Sequence, residues 1–137
     1  MEVSNQPKLQ FHGADFSNVH FDGFKQYDGE SKIDLSVEPK VFYDSENQKL
    51  FKIIMDVKLI CEEHFELIVL GIGTFEFDQE ISDLEMKKSF VNQNAPAIMF
   101  PYVRAFIGTL TSNLGSVTGC LTIPTQFFQG ELEEVEE

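Results

Sequence analysis

The 137-residue sequence has no tryptophan, two cysteines and few cations. Cys61 and Cys120 stand far apart, without the close ligand pairs that a structural zinc site needs. Cys61 falls on the apolar side of an alternating segment, so we predict that it is a small buried residue. Lys and Arg number 10 against 23 Asp and Glu, which gives a net charge of −13. Because nucleic acids and anionic membranes attract clustered cations, the sequence disfavours both as partners.

The large negative charge leaves two interpretations open. It either serves solubility alone or attracts a basic partner, whose association it would accelerate.

Long apolar runs are also missing. No run reaches the ~20 residues that a membrane-spanning helix needs. Residues 1–7 are polar and do not have the character of a secretory signal. We therefore expect a cytoplasmic protein that does not insert into a membrane.

Catalytic motifs are absent as well. His12, His20 and His64 are scattered, and none begins a metal motif such as H-E-x-x-H. The sequence has no P-loop and no G-x-S-x-G, and Gly71-Ile72-Gly73 lacks the third glycine of a dinucleotide fingerprint. We predict that the protein is not an enzyme and that it has no metal site and no cofactor.

Alternating apolar residues predict four β-strands, at about 9–21, 33–43, 51–61 and 65–78. The first changes phase at Gly13-Ala14 and Ser17-Asn18, where β-bulges are expected. The second contains Pro39, which indicates a bulge or an edge position. The third has an unbroken apolar face from Phe51 to Cys61.

The fourth predicted strand has two unusual faces. Gly71 and Gly73 leave room on one face for a close-packed helix. The other face carries Ile68, Leu70 and Ile72 where the third strand has charged residues. This apolar face is either an interface or a surface covered by a loop.

Two helices are predicted after the strands. Ser82-Asp83-Leu84-Glu85 has the pattern of a capping box and opens a short helix through about Val91. Pro101 predicts the start of a long helix, because proline is tolerated in the first turn, and Gly115 is a suitable C-cap. The expected fold is α+β, with a four-stranded antiparallel sheet and both helices on one of its faces.

The long helix is apolar on more than one side, so a second subunit is expected to cover part of it. The predicted oligomer-interface residues are Tyr102, Val103, Phe106, Ile107 and Leu110.

The segment Phe100-Pro101-Tyr102-Val103-Arg104, followed by Leu121-Thr122-Ile123-Pro124 and Phe127-Phe128, resembles the SecB family of cytosolic export chaperones. In that family an F-P-Y-A-R pattern on a helix follows four strands and precedes a Leu/Pro-rich segment. The resemblance extends from about Phe11 to Phe128. It implies a single SecB-like domain at 1–130 and an acidic tail at 131–137. Because the tail is a run of like charges, we expect it to be frayed.

The resemblance implies a holding chaperone that binds unfolded preproteins, keeps them competent for export and assembles as a homotetramer, a dimer of dimers. In the SecB family, clients bind along grooves lined with aromatic residues. The client-binding residues carried over are Phe24, Tyr27, Met99, Phe100, Leu121, Ile123, Phe127 and Phe128. The surface for a SecA-type motor carries over to Asn18, Asp22, Ile68, Leu70 and Ile72.

The sequence departs from the family in three places. Only seven residues follow Gly130, so the lid-like second helix of the family is short or missing. Asn18 and Ile68 stand where the motor-binding surface has acids, and the longer family tail is reduced to a Glu cluster. Two alternatives therefore stay open: a dedicated chaperone for one partner such as an antitoxin, and a small-molecule-binding α+β domain.

Overall fold

A computed structural model describes residues 7–124 and 132–136. The chain runs through four long strands, then a helical segment, then a very short fifth strand. The elements are β1 (Leu9–Gly23), β2 (Asp34–Tyr43), β3 (Leu50–Cys61), β4 (Phe65–Phe77), α1 (Leu84–Ser89), a π-turn (Phe90–Asn94), α2 (Ala95–Asn113), a 3-10 turn (Gly115–Val117) and β5 (Glu133–Glu134).

The strands form one sheet in the order β1-β4-β3-β2-β5. The four long strands pair antiparallel, as predicted, and β5 adds two residues parallel to β2. The α+β class, with a helical layer on one face of the sheet, is confirmed. The strand count of four was one too low.

The fifth strand comes from the acidic tail, which sequence reasoning predicts to be frayed. Instead, Glu133–Glu134 pairs with Lys40–Val41 at the free edge of β2. The preceding Leu132 packs at the margin of the core, and its amide donates to Asn92 Oδ1 at 2.6 Å. An apolar anchor and the unpaired backbone groups of a sheet edge therefore outweigh the charge of the tail.

Two irregularities keep the apolar residues of β1 on one face. The register of β1 against β4 shifts between Phe11 and Gly13 and again between Phe16 and Asn18, which matches the predicted bulges. Gly13 has a φ of +115°, a conformation that other residues rarely adopt. Because each shift inserts one residue, Phe11 and Phe16 both face the helix side.

The core lies between the sheet and the helical layer. Every second residue of β3 and β4 is buried, from Phe51 to Cys61 and from Phe65 to Phe77. Phe51 and Phe75 stack with their ring centroids 5.4 Å apart. Period-two burial on both central strands is the property that the sequence pattern predicted most directly.

The helix boundaries differ from the prediction. Helical backbone runs without interruption from Leu84 to Asn113, so the predicted helix start at Pro101 is wrong. Pro101 has no N–H to donate to the Ala97 carbonyl, four residues back. Both residues lie on the exposed side of α2, where water can replace the missing hydrogen bond. The Asp83 side chain, rather than that of Ser82, accepts from the first amides of α1. Gly115 follows the last turn with a φ of +67°, as expected for a C-cap.

A π-turn joins the two helices. The amide of Ala95 donates to the carbonyl of Phe90, five residues back. Pro96 follows directly, and its ring would clash with the carbonyl four residues back in a regular α-helix. The wider turn separates these groups. In residues 7–124 and 132–136, no helix is both long and apolar enough to cross a bilayer.

Helix α2 packs against β4 at two glycines. A Cβ built on Gly73 would lie 2.8 Å from Met99 Sδ, and one built on Gly71 would lie 3.0 Å from the Phe16 ring. Met99 is fully buried. The two glycines thus leave room for the helix, as predicted, and the Met99 side chain fills that room.

We predict that Gly73→Ala lowers the free energy of unfolding by about 1–3 kcal/mol, because the new methyl group overpacks the buried Met99. Gly108→Ala is the matched control. Its methyl group would meet nothing nearer than the Leu121 carbonyl oxygen at 3.9 Å, so we expect a gain of about 0.5–1 kcal/mol. Urea unfolding measures both, and equal stability of Gly73→Ala and wild type would contradict the packing argument.

Candidate functional site

The outward side of α2 is an exposed apolar stripe. Ile98, Tyr102 and Ala105 follow one another at helical spacing, and Tyr102 is 52% exposed. The Tyr102 ring rests on Phe11 of β1, with the centroids 4.9 Å apart. One turn further along, Phe106 stacks on Phe16 at 4.2 Å, with the two rings nearly parallel. Helix α2 and β1 together therefore present aromatic surface on the helix side of the molecule.

The predicted oligomer-interface residues divide between this stripe and the core. Val103 and Ile107 are fully buried within the chain, so they have no surface for a partner subunit in this arrangement. Phe106 and Leu110 are half-buried. Tyr102 is the member of the predicted set that is open to a second chain.

The crossover between β1 and β2 presents a single aromatic residue to solvent. Phe24 is 62% exposed, and its amide donates to the His64 carbonyl at 2.7 Å. Tyr27 is half-buried instead: its ring meets Phe65 edge-on at 5.7 Å, and its hydroxyl donates to the Ser31 carbonyl at 2.9 Å. The crossover is thus fastened to the β3–β4 turn, and Phe24 is held outward.

Asp28 organises the turn that follows Tyr27. Its carboxylate accepts the amides of Glu30 and Ser31 and the Ser31 hydroxyl, at 2.7–2.9 Å. The Ser31 hydroxyl and these amides hold the pKa of Asp28 far below its usual range. These hydrogen bonds therefore hold the turn together while the carboxylate is ionised.

The segment after α2 folds back along the helix. Arg104 Nε donates to the Ile123 carbonyl at 2.8 Å. The buried Thr111 hydroxyl donates to the Ile107 carbonyl at 2.8 Å and accepts the Leu121 amide at 2.9 Å. A shallow groove of about 260 Å³ remains between α2 and this segment. The arginine of the sequence motif thus fixes the returning chain.

Four of the predicted client-binding residues lie in the core, two on α2 and two on the returning segment. Met99, Phe100 and Ile123 are at most 2% exposed, and Leu121 is 8% exposed. Side chains this buried cannot contact a second chain without rearrangement. Phe127 and Phe128 lie outside the described residues. Of the predicted set, the described structure leaves Phe24 exposed and Tyr27 partly so.

The other face of the sheet carries an apolar strip. Ile68, Leu70 and Ile72 of β4 are half-exposed there, in a row along the strand. Ile54 of β3 lies directly opposite Ile72 and extends the row. We call these four residues the outer strip.

Polar residues of β1 border the outer strip. Asn18 is paired with Leu70, and His20 with Ile68. Asp22 lies one step further, opposite Glu66. The structure therefore brings together all five predicted partner-surface residues, which come from strands about 50 positions apart in the sequence.

Ile54 was missed by sequence reasoning. It follows Ile53 directly and so breaks the polar parity of β3, where Lys52, Asp56 and Lys58 also point outward. That adjacent apolar pair was the available signal. Whether Ile54 extends the apolar row depends on its pairing with Ile72. The sequence of one strand does not give that register.

Solved structures of similar fold include the following two, although no protein-family model and no curated protein matches the sequence. One is the SecB-like chaperone Rv1957 of Mycobacterium tuberculosis, solved with a ChAD peptide from the Rv1956 HigA1 antitoxin. It is 16% identical with a TM-score of 0.68, over 85% of this chain and 86% of that one. The chain has a SecB-like fold. The other is a protein of unknown function from Streptococcus agalactiae, 12% identical with a TM-score of 0.52, over 88% and 99% of the two chains.

One cluster in this SecB-like fold has the outline of a catalytic triad. Cys61 Sγ lies 3.7 Å from His64 Nδ1, and His64 Nε2 lies 3.8 Å from Asp28 Oδ2. The Cys61 side chain is fully buried, as predicted, and burial raises the pKa of its thiol. The cluster ties the crossover to the β3–β4 turn.

We predict that Thr111→Val destabilises the protein by about 1–3 kcal/mol, because it leaves the buried Leu121 amide without an acceptor. The expected local effect is faster hydrogen exchange of that amide. Thr109→Val, an exposed position on the same helix, is the control and should change stability by less than about 0.5 kcal/mol. Unchanged exchange at Leu121 in Thr111→Val would show that the returning segment does not depend on this hydroxyl.

Proposed function

We propose that the protein is a chaperone that holds an unstructured segment of another protein against exposed apolar surface, without catalysing a reaction. The observation that carries this proposal is exposed apolar surface at three places on a SecB-like fold: Phe24 at the crossover, the Tyr102 stripe on α2, and the outer strip on the opposite face of the sheet. Aromatic side chains suit this task, since they offer a large contact area and lose little conformational entropy.

The client side of the proposal is Phe24 together with the α2 stripe. A holding chaperone must bind many sequences, so it needs apolar area rather than a specific hydrogen-bond pattern. Phe24 provides such area on an anchored backbone, which lowers the entropy lost on binding. In the preferred form of the proposal the clients are unfolded preproteins destined for export, and the protein acts in the cytoplasm.

A dedicated chaperone for one partner is the second candidate. It is supported by the solved Rv1957 complex, in which a SecB-like chaperone of similar fold holds an antitoxin peptide. Asn18 and Ile68 also weaken the case for a SecA-type motor, because they replace acids on the proposed docking face. A basic partner remains favoured by the net charge of −13.

The small-molecule-binding alternative has less support. It requires the aromatic residues of the predicted client-binding set to surround an enclosed pocket. Phe24 is instead exposed, and Phe100 is packed in the core.

We also propose that the assembly is a homotetramer, a dimer of dimers, in which α2 is covered by a second subunit. The exposed Ile98 and Tyr102 support this, because a helix with apolar residues on its solvent side is usually covered in an assembly. The contact would use the outward stripe, since Val103 and Ile107 are already buried.

The client proposal is tested with Phe24→Ser. We expect the variant to bind an unfolded client at least about tenfold more weakly, as for loss of a contact worth about 1.4 kcal/mol. Tyr27 is left unchanged because its ring and hydroxyl anchor the crossover. The readouts are client affinity and suppression of aggregation, measured with several unrelated unfolded proteins and with light scattering to monitor assembly.

Leu84→Ser is the matched control for this test. Leu84 is equally exposed, at 64%, but it begins α1 at the opposite end of the long strands. Full holding activity in Phe24→Ser would remove the crossover from the client surface. Activity towards only one of the proteins tested would favour the dedicated chaperone.

We predict that Ile68→Lys abolishes binding of the proposed partner to the outer strip while client holding is retained. A contact built on this strip should also be less sensitive to salt than a contact built on surface charges. Thr74→Lys, on the same strand and the same face, controls for the added charge. Calorimetric titration of the partner decides the matter, and equal affinities of Ile68→Lys and wild type would exclude the outer strip as its docking surface.

A further inference from the structure

Three side chains with metal-binding atoms converge at one end of the β1–β4 ladder. His20 and Asp22 lie two residues apart on β1 and point to the outer face, and Glu66 of β4 lies directly opposite Asp22. One donor atom from each residue lies within 4.8 Å of the other two. His20 Nε2 is already 2.9 Å from Asp22 Oδ2.

The pairing of Asp22 with Glu66 is electrostatically unfavourable by itself. Like charges directly opposite each other in an antiparallel sheet destabilise it, and the chain as a whole carries a net charge of −13. In the described ranges, the recorded ion pair of Asp22 is with His20, and no Lys or Arg nitrogen lies within 4 Å of either carboxylate. A cation between the two carboxylates would remove this repulsion.

We propose that His20, Asp22 and Glu66 bind a divalent transition-metal ion of the zinc class. One imidazole nitrogen and two carboxylate oxygens are ordinary zinc ligands, and water completes the coordination in open sites. Ligand atoms around tetrahedral zinc are about 3.3 Å apart, given bonds of about 2.0–2.2 Å. His20 and Asp22 are exposed and Glu66 is half-buried, so modest side-chain rotation brings the three donors to that spacing.

The position of the site gives it a structural consequence. His20 is paired with Ile68, so the ion would lie at one end of the outer strip and link β1 to β4. The prediction of no metal site rested on sequence spacing. Glu66 lies 44 positions beyond Asp22, and only the strand register brings it into the cluster.

The same two strands offer an internal control. His12 Nε2 lies 2.9 Å from Glu76 Oε1, which reproduces the His–carboxylate pair of the proposed site. Glu76 is paired with Gln10 rather than with a second carboxylate. This pair thus has two metal-binding groups instead of three and should bind metal more weakly.

The experiment is a calorimetric titration of the full chain with zinc chloride. It is performed in a Cys120→Ser background, because the exposed Cys120 thiol is itself a zinc ligand. We expect one saturable site per chain and a zinc-dependent rise in the melting temperature. His20→Ala and Glu66→Gln should each weaken binding at least about tenfold, whereas His12→Ala should leave it unchanged.

A second readout locates the ion independently of affinity. Paramagnetic Co²⁺ should broaden the imidazole NMR signals of His20 before those of His12. The proposal is overturned by the absence of saturable binding, by an equal effect of His20→Ala and His12→Ala, or by equal broadening of the two histidines. The last two results would indicate diffuse attraction of cations to an acidic surface.

Discussion

The contact between Met99 and the glycines of β4 determines how the helical layer lies on the sheet. Without side chains at Gly71 and Gly73, α2 comes close enough to bury Val103 and Ile107 as well. This depth leaves Tyr102 on the solvent side, resting on Phe11. It also brings Arg104 and Thr111 to where they hold the returning segment. The exposed stripe and the buried return are therefore both consequences of one close approach.

The division into two surfaces follows from the same sheet. Its helix side is filled by the chain's own aromatic residues, and the outward stripe of α2, with Ile98 and Tyr102, remains exposed there. Its other side has no such layer in the described residues, and the outer strip occupies the centre of that side. The α2 stripe and the outer strip therefore lie on opposite faces of the sheet.

Some of these features could be predicted from the sequence and others could not, for physical reasons. Burial along β3 and β4 has a period of two and is encoded locally, so the strands and the glycine contact were predictable. The helix start was not, because the cost of Pro101 depends on whether Ala97 faces water. The returning segment is held by two single hydrogen bonds, one from Arg104 to the Ile123 carbonyl and one from the Leu121 amide to Thr111. Cross-strand neighbours such as Ile54 and Glu66 depend on register, and one sequence does not reveal register beyond its turns.

The bulges of β1 have a consequence for self-association. Within the described sheet, β1 is an edge strand of 15 residues, and a long regular edge is a template on which further chains add strands. The two register shifts and the positive φ of Gly13 interrupt its row of free amides and carbonyls. A continuous intermolecular ladder cannot form along such an edge. The chain thus combines exposed apolar surface with an edge that is poorly suited to growth into a fibre.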